Sequence, residues 1–321
     1  MNSKKKEDQV IQTNETAPDE KITRRSFMKK LSLAAAAGSA SLVTGGCGSL
    51  ENSEEMGLRW EEYFKKNYRL MTQEEKDATV ARLVRLAKLR NNVDIQMSNQ
   101  EPQENVLYGY AFNISRCKGY MDCVAACVKE NNLDRRSKTQ YIRIFEMDPG
   151  QLDPTAGDGK YHHEVPVDKK FYMGVQCFHC ENSPCTKACP TKATWQEPDG
   201  IVVVDYDWCI GCRYCLAACP YWGRRFNWNK PEIPKDEINK KQHYLGNRIR
   251  PKGVMEKCTF CIQRTRQGKL PACAEACPTG SRVFGNLLDP DSEIRFVLKH
   301  KKVFRFKEEL GTEPKFWYFM D

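Results

Sequence analysis

Residues Cys209–Pro220 read CIGCRYCLAACP, which matches the spacing C-x2-C-x2-C-x3-C-P without deviation. Three further groups of cysteines repeat parts of this spacing, and two of them also end in Cys-Pro. A tight loop with this spacing lets several thiolates converge, and the proline turns the chain away after the last one. The groups in chain order are Cys117, Cys123 and Cys127; Cys177, Cys180, Cys185 and Cys189; Cys209, Cys212, Cys215 and Cys219; and Cys258, Cys261, Cys273 and Cys277.

The spacing of the third group is typical of bacterial-type iron-sulfur proteins, in which three thiolates hold one cluster and the fourth reaches a second cluster. Zinc is the competing metal, because paired cysteines also build zinc ribbons, but four zinc ligands give no reason for the x3-C-P tail. Covalent haem requires C-x-x-C-H, and no group has a histidine after its second cysteine. The groups therefore predict iron-sulfur clusters.

The composition narrows the class of protein. The chain has 321 residues, sixteen of them cysteines, and a mean hydropathy of −0.67. With 40% hydrophobic residues, six tryptophans and thirteen tyrosines, disorder throughout is excluded, and the low hydropathy excludes an integral protein of many membrane spans. The net charge of +9 is modest and forms no long basic run after residue 46, so no nucleic-acid partner is expected.

The N-terminal segment carries an export signal. Thr23–Lys29 match the twin-arginine pattern through Arg24 and Arg25, and a weakly apolar run follows over residues 31–43. That run is about thirteen residues long, short of the roughly 20 that span a bilayer. We expect a twin-arginine signal peptide over residues 1–46. This route carries folded proteins, so clusters loaded before export would protect the thiols from disulfide formation in the oxidising compartment.

The signal ends near Cys47, which follows Thr44, Gly45 and Gly46 and resembles a lipoprotein processing site. Thr44 stands where such sites usually carry leucine or valine. Cleavage after Ala40 and an uncleaved anchor are therefore the alternatives. We expect the protein at the periplasmic side of the inner membrane, held there through an acylated Cys47.

Residues 47–105 are predicted to form a linker and a helical arm. Thr72 and Glu75 make a capping box, and apolar residues at helical spacing follow, which predicts a helix over about Gln73–Arg90. Its apolar side is expected to pack on its own domain, with docking to a partner as the alternative. The aromatic segment Trp60–Tyr68 predicts a companion helix.

The cysteine-rich body follows a pattern of short strand, cysteine loop and short helix. Two stretches rich in proline, glycine, aspartate and lysine, residues 148–168 and 228–257, are predicted as surface insertions. His179 is expected to hydrogen-bond locally rather than to bind metal, and His162 and His163 are expected at the surface. The predicted strands are Tyr108–Ile114, Tyr141–Phe145, Phe171–Gln176 and Ile201–Asp205, and the tryptophans expected to shield clusters and pack the core are Trp195, Trp208, Trp222 and Trp228.

Because the last cysteine of one group binds the cluster of another group, the groups must act in pairs. Groups two and three are 20 residues apart, from Cys189 to Cys209, which is the compact spacing of a two-cluster ferredoxin. Groups one and four, 131 residues apart, are left as the outer pair. We therefore predict an α+β fold over residues 106–321, in which an inner ferredoxin-like unit (about 166–227) is inserted into an outer one, preceded by the helical arm.

Four phrases in this body carry a family resemblance: Cys209–Cys215 (CIGCRYC), Asp199–Val202 (DGIV), Arg250–Cys258 (RPKGVMEKC) and Leu310–Pro314 (LGTEP). With the order of the groups, they resemble the four-cluster electron-transfer subunits of complex iron-sulfur molybdoenzymes, closest to polysulfide reductase beta subunits and the iron-sulfur part of alternative complex III. The resemblance covers residues 106–321 and leaves the arm unassigned. It implies a line of clusters between a catalytic subunit and a multi-span, quinone-reactive membrane subunit.

Crossing within the two pairs gives four ligand sets that use every cysteine except Cys47. Group one carries Tyr120 where the pattern expects a cysteine, and a phenol is a poor substitute for a thiolate toward iron. The first set is therefore expected to hold a 3Fe-4S cluster, with a 4Fe-4S cluster bound by another ligand and an empty site as alternatives, and the other three sets a 4Fe-4S cluster each. The first to fourth sets are Cys117, Cys123 and Cys277; Cys127, Cys258, Cys261 and Cys273; Cys177, Cys180, Cys185 and Cys219; and Cys189, Cys209, Cys212 and Cys215.

The expected function is electron relay without a substrate of its own, because the chain has no nucleophile elbow, phosphate loop or dinucleotide fingerprint. The expected partners are a multi-span quinone-reactive membrane subunit and an exported redox partner, either a catalytic molybdopterin-type subunit or a cytochrome c. The alternatives are a free-standing periplasmic ferredoxin and an enzyme that binds substrate at the three-thiolate cluster.

Overall fold

The computed structural model describes residues 71–151 and 153–321. The predictions for Arg24, Arg25, Cys47 and Trp60–Tyr68 concern residues outside these ranges. Within them, none of the helices is both long enough and apolar enough to cross a membrane.

Short strands make up the β structure, which is expected for a chain whose cysteine loops interrupt every run of β-branched and aromatic residues. In chain order they are β1 (Gln96–Ser98), β2 (Tyr108–Asn113), β3 (Arg143–Met147), β4 (Phe171–Val175), β5 (Thr194–Gln196), β6 (Val202–Val204), β7 (Arg224–Phe226), β8 (Lys241–His243), β9 (Met255–Lys257), β10 (Arg282–Asn286), β11 (Val303–Phe304) and β12 (Phe316–Phe319). The four predicted strands correspond to β2, β3, β4 and β6, with ends shifted by one or two residues.

Within residues 71–151 and 153–321, the helices are a long one in the arm, two of intermediate length and four of a single turn. They are α1 (Gln73–Asn91), α2 (Asp122–Glu130), α3 (Pro184–Lys187), α4 (Tyr214–Ala217), α5 (Ile262–Thr265), α6 (Ala272–Glu275) and α7 (Glu293–His300), with 3-10 turns at Pro154–Ala156, Lys235–Glu237 and Glu308–Leu310.

Helix α1 confirms the predicted arm helix. At its start the Thr72 hydroxyl accepts a hydrogen bond from the Glu75 N–H, and the Glu75 carboxylate accepts one from the Thr72 N–H. This is the predicted capping box. Leu83 is buried in the same hydrophobic cluster as Tyr110 and Cys123 of the cysteine-rich body. The apolar side of the helix therefore packs on its own domain, as expected.

A four-stranded sheet joins the two ends of the cysteine-rich body. Its order is β10-β2-β12-β11, with β2 antiparallel to β10 and parallel to β12, and β11 antiparallel to β12 at the edge. Every residue of β2 is buried. The ring of Tyr110 on β2 stacks on Phe316 of β12 with 5.1 Å between ring centres. Because β2 leads into group one and β10 follows group four, the antiparallel pairing of these strands places both groups at one end of the sheet.

Four two-stranded ribbons lie around this sheet. Three are antiparallel, β3 with β4, β5 with β6, and β7 with β9, whereas β1 of the arm pairs in parallel with β8. The β7–β9 ribbon connects the chain leaving group three to the chain entering group four. The loops of groups two and three thus lie between strands of these ribbons, whereas group four leads from β9 of a ribbon into β10 of the sheet.

The prediction of a surface insertion over residues 228–257 is right for residues 228–240, which are mostly exposed, and wrong for the rest of the segment. From β8 onward most of this segment is buried, and Arg250 is among the largest fully buried side chains. Its guanidinium binds the Glu256 carboxylate (2.6 Å) and donates to two backbone carbonyls just after α2 (2.7 and 2.8 Å). The polar composition therefore belongs to a satisfied interior network. Residues 148–168 are mostly exposed, as predicted, although Tyr161 is buried.

Candidate iron-sulfur cluster sites

Fifteen cysteines lie within the described residues, and all fifteen are free thiols. Eleven are buried and four are partly exposed. The short helices of the cysteine groups pack in pairs: α2 of group one against α6 of group four, and α3 of group two against α4 of group three. The partly exposed thiols are Cys117, Cys212, Cys219 and Cys277.

The thiols of each ligand set are electrostatic neighbours. The pKa of Cys117 is raised to about 11, mainly by burial, and both other thiols of the first set contribute to this increase. Burial raises the pKa of Cys127 well above its usual value and that of Cys180 to about 12, and in both cases the other three thiols of the same set add to the effect. Burial raises the pKa of Cys215 to about 11, with Cys189 and Cys209 of the fourth set adding to it.

Electrostatic interactions also link neighbouring sets, in one order. Cys273 of the second set acts on Cys123 of the first. Cys177 of the third set acts on Cys258 of the second. Cys185 of the third set acts on Cys215 of the fourth. These interactions link the first set to the second, the second to the third and the third to the fourth.

The buried thiols whose pKa is raised remain protonated near pH 7, and each ligand set contains at least one of them. Iron displaces the protons and supplies positive charge that stabilises the thiolates, so the donor sets fit iron-sulfur clusters. Among residues 71–151 and 153–321, no group of three or more His, Cys, Asp or Glu side chains is arranged to hold a single metal ion. The thiolates of a cluster each bind a different iron.

One backbone feature recurs in all four cysteine loops. The third residue counted from the first cysteine of each group has a positive φ: Gly119 at +79°, His179 at +46°, Gly211 at +75° and Phe260 at +52°. This left-handed residue turns the loop so that it wraps around one side of the ligand set. At Gly211 a Cβ would also lie 2.2 Å from the carbonyl oxygen of Gly253, so only glycine fits there.

Tyr120 differs from the cysteines of its group. Its side chain is 48% exposed, whereas Cys123 beside it is buried. It lines the small cavity that also contacts Cys117, Cys123 and Cys277. The first set thus consists of three thiols around a cavity with Tyr120 at its outer edge.

Of the histidines discussed from the sequence, His179 is buried and His163 is exposed. His179 is fully buried, and its Nδ1 accepts a hydrogen bond from the Val202 N–H on β6 (2.9 Å), so its partner lies outside its own loop. Burial, together with Lys257 and Lys315, holds the pKa of His179 well below its usual range. His163 lies at the surface, as expected, where its Nε2 contacts the Glu146 carboxylate (2.8 Å).

Two buried arginines near the thiols, Arg224 and Arg282, were missed from the sequence. The available signal was positional, since each lies five residues after the cysteine of a Cys-Pro pair. Of the tryptophans expected to shield the clusters, three are partly buried, but Trp228 is 61% exposed. It packs edge-on against Phe226 instead.

Comparisons with known proteins agree with this geometry. Residues 169–248 and 247–287 match the 4Fe-4S dicluster domain family. The chain is 36% identical over 250 residues to the Hdr-like menaquinol oxidoreductase iron-sulfur subunit 1 of Archaeoglobus fulgidus, covering 69% of this chain and 86% of that protein. It is 33% identical over 239 residues to the iron-sulfur cluster-binding subunit of menaquinone reductase of Nitratidesulfovibrio vulgaris, covering 66% and 88%.

A third relative is a chain of the polysulfide reductase of Wolinella succinogenes, which is 34% identical over 209 residues that cover 65% of this chain and 91% of that protein. The resemblance inferred from the phrases around the cysteines is therefore confirmed, and so is the function in electron relay. The buried free thiols, the ferredoxin-like mixture of small sheets and short helices, and these relatives lead to one conclusion: the chain belongs to the family of iron-sulfur electron-transfer subunits of membrane oxidoreductase complexes.

Proposed function

We propose that this subunit relays electrons through four clusters, one in each ligand set, between a quinone-reactive membrane subunit and an exported redox partner. The observation that carries the proposal is the order of electrostatic interactions among the buried thiols, Cys123 with Cys273, Cys258 with Cys177, and Cys185 with Cys215. Because electrons move between neighbouring clusters, a single row of four gives one path with two ends.

The packing of the short helices supports two ferredoxin-like units. Helix α2 contacts α6, so groups one and four share an outer unit, and α3 contacts α4, so groups two and three share an inner unit. We infer that the inner unit (about 166–227) is inserted into the outer one within residues 106–321. The β7–β9 ribbon is then the junction through which the chain returns from the inner to the outer unit.

The first set is proposed to hold a 3Fe-4S cluster, and the other three sets a 4Fe-4S cluster each. Tyr120 supports this assignment, because its half-exposed side chain replaces the thiolate that would bind a fourth iron. The alternative, a fourth 4Fe-4S cluster, requires a different ligand at that corner. Asp122 lines the same cavity and is the nearest carboxylate in sequence.

The two ends of the row differ in their surroundings. A groove of about 680 Å³ lies beside Cys117 and is lined by apolar residues, including Phe171 and Phe304, and by Lys118 and Lys170. We propose that the membrane subunit covers this groove. The relatives named as menaquinol and menaquinone oxidoreductase subunits support a quinone-reactive partner.

At the other end, Cys212 is partly exposed and lies near two large exposed aromatic residues, Tyr214 (63%) and Trp228 (61%). Trp228 stacks with the guanidinium of Arg213, 5.0 Å from its ring centre. We propose that the exported partner, a catalytic molybdopterin-type subunit or a cytochrome c, docks over this end. Exposed aromatic residues next to a partly exposed ligand are what such a contact requires.

Export by the twin-arginine route and a lipid on Cys47 complete the proposal, and both follow from residues 1–47 alone. Replacing Arg24 and Arg25 by lysine is expected to leave the protein in the cytoplasm. Cys47→Ala is expected to abolish labelling by a radioactive fatty acid without changing export. Detection of the double lysine variant outside the cytoplasm would contradict the assigned route.

The deciding experiment is anaerobic purification of the native chain from membranes in mild detergent. We expect about 15 iron atoms per chain, a 3Fe-4S paramagnetic signal in the oxidised protein, a multi-span subunit in the same complex, and reduction of the clusters by quinol in washed membranes. A count near eight iron atoms contradicts the four-cluster scheme. A chain that purifies alone and is not reduced by quinol is a free-standing ferredoxin, and turnover of a small substrate by the isolated chain would make it an enzyme.

A further inference from the structure

Arg224 and Arg282 occupy matching positions in the two ferredoxin-like units. Each lies five residues after a cysteine that is followed by proline, and each is the first residue of a strand, β7 and β10. Both side chains are buried, with 2% and 6% of the residue exposed. The match places one guanidinium at the same point of each unit.

The guanidinium of Arg224 lies between the third and fourth ligand sets. Its Nη2 donates to the Cys185 sulfur (3.1 Å) and to the Thr194 hydroxyl (2.8 Å). Its charge also acts on Cys215 of the fourth set and on Cys177 of the third. Within the described part of the chain, its Nε and Nη1 are buried without a hydrogen-bond partner. Three of its nitrogen atoms are thus held next to sulfur or left free to face it.

The guanidinium of Arg282 stands in the corresponding place between the first and second sets. Its Nη1 donates to Gln176 Oε1 (2.9 Å) and to the Tyr110 hydroxyl (3.3 Å), which orient it. Arg282 lines the cavity that contacts Cys117, Cys123 and Cys277 of the first set, and the Tyr110 hydroxyl to which it donates lies 3.4 Å from the Cys273 sulfur of the second set. Its charge acts on Cys123 and Cys273 as well. Each arginine therefore faces both members of one pair.

Neither arginine has a carboxylate partner among residues 71–151 and 153–321, whereas buried Arg250 pairs with Glu256 and buried Arg266 with Asp199. A buried guanidinium without a counter-charge is strongly destabilising. A 4Fe-4S cluster bound by thiolates is negative, and each reduction adds one negative charge. The clusters are the counter-charge that these two side chains otherwise lack.

The other two groups carry no arginine at the matching position, so each unit has one such arginine. Five residues after Cys189 stands Thr194, the first residue of β5, and its hydroxyl accepts a hydrogen bond from Arg224. The equivalent position in group one, five residues after Cys127, is Asn132, which hydrogen-bonds to backbone carbonyls away from the thiols. The space between two clusters is thus filled by one guanidinium from one side.

We propose that Arg224 and Arg282 are positioning residues for charge: each holds a fixed positive charge between the two clusters of its pair and raises the reduction potentials of both. The proposal rests on the four-cluster function above. Because the arginines are buried, water screens this charge much less than it screens a surface arginine. The four potentials are then set in two separate pairs, one for each unit of the protein.

The test is a potentiometric titration of the purified, cluster-loaded protein, followed by electron paramagnetic resonance. In Arg224→Gln we expect two of the four midpoint potentials to fall, each by at least a tenfold change in the reduction equilibrium, which is about 59 mV for one electron. In Arg282→Gln the other two should fall, including that of the 3Fe-4S signal. Arg116→Gln is the matched control, since Arg116 directly precedes Cys117 but is exposed and paired with Asp321 (2.7 Å), and it should leave all four unchanged.

Iron and sulfide content is measured first for every protein. If the unmodified chain does not contain enough iron for four clusters, the proposed function itself is contradicted before any variant is titrated. Lysine variants, which keep the charge and lose the fork-shaped hydrogen bonds, decide the case if a glutamine variant does not load. Potentials near those of the unmodified protein in Arg224→Lys and Arg282→Lys support a role for charge. The proposal is overturned if fully loaded glutamine variants have unchanged potentials. It is also overturned if the potentials of the lysine variants fall by as much as a tenfold change in the reduction equilibrium, about 59 mV for one electron.

Discussion

The ring of His179 stacks on the ring of Phe260, with 3.7 Å between ring centres and 25° between the planes. Each residue occupies the left-handed third position of its cysteine loop, His179 in group two and Phe260 in group four. The stack therefore joins the loops of groups two and four, whose cysteines Cys177 and Cys258 also interact electrostatically. Because burial holds the pKa of His179 well below its usual range, the imidazole is neutral. The junction between the second and third sets thus receives no histidine charge.

The variant Tyr120→Cys is expected to convert the proposed 3Fe-4S cluster of the first set into a 4Fe-4S cluster. It restores the missing thiolate of group one, and the half-exposed position of Tyr120 leaves room for the smaller side chain. The iron content should rise by one atom per chain, and the 3Fe-4S paramagnetic signal of the oxidised protein should disappear. Tyr120→Phe, which removes only the hydroxyl, is the control and should keep the signal. Persistence of the signal in a fully loaded cysteine variant would sink the assignment.

The variant Gly211→Ala is expected to impair the fourth ligand set. Its Cβ would meet the Gly253 carbonyl oxygen at 2.2 Å, and its φ of +75° already disfavours alanine. The loop that carries Cys209 and Cys212 must then shift, so we expect iron content to fall by about four atoms per chain. Gly268→Ala is the control, because it has a similar φ of +73° but no neighbour within 4 Å, and it should cost about 1 kcal/mol and no iron. Equal iron contents in the two variants would show that the close approach is unimportant.

The variant Leu83→Ala is expected to release helix α1 from the body. Leu83 is buried in the core cluster, so the lost contacts and the remaining cavity should cost about 2–4 kcal/mol. Hydrogen exchange of the α1 amides should accelerate, while exchange in β2 changes little. Arg82→Ala removes the partly exposed ion pair with Asp207 (2.8 Å) and is the comparison, with an expected cost below about 1 kcal/mol. If both variants exchange at the same rate, the helix is not held by its apolar side.

The sequence predicted the elements whose signals are local. The capping box of Thr72 and Glu75 located the start of α1, and the spacing of Cys209–Pro220 predicted iron-sulfur chemistry that the relatives confirm. The strands around Tyr108–Asn113 were also found, because β-branched and aromatic residues precede the cysteine loops.

The features that the sequence did not predict depend on distant partners. Residues 228–257 have a polar composition, and only the structure shows that Arg250 and Glu256 pair in the interior. Arg224 and Arg282 were missed for the same reason, since a single charged residue in a strand carries no local sign of burial between thiols. Tertiary contacts decided both cases, and a sequence pattern does not contain them.

The stability of the protein is expected to fall between pH 7 and pH 5 because of His243, which is fully buried. Burial lowers its pKa to about 3, and the positive charges of Arg266 and Lys76 contribute to this decrease. A hydrogen bond to the Gln100 carbonyl acts in the opposite direction. The unfolded protein takes up a proton on this histidine near pH 6.5, whereas the folded protein does so only near pH 3. Stability present above pH 6.5 is therefore lost progressively as the pH falls toward 3.

The variant His243→Gln removes this term, so its free energy of unfolding should fall by about 2 kcal/mol less than that of the unmodified protein between pH 7 and pH 5. Anaerobic denaturant unfolding of the loaded protein at a series of pH values measures the difference. His179 contributes a loss of the same sign in both proteins, because its pKa is also lowered, and it cancels in the comparison. Between pH 7 and pH 8 the two curves should run parallel, since the unfolded histidine is neutral there. Curves that stay parallel down to pH 5 would show that His243 is protonated in the folded protein as readily as in the unfolded protein.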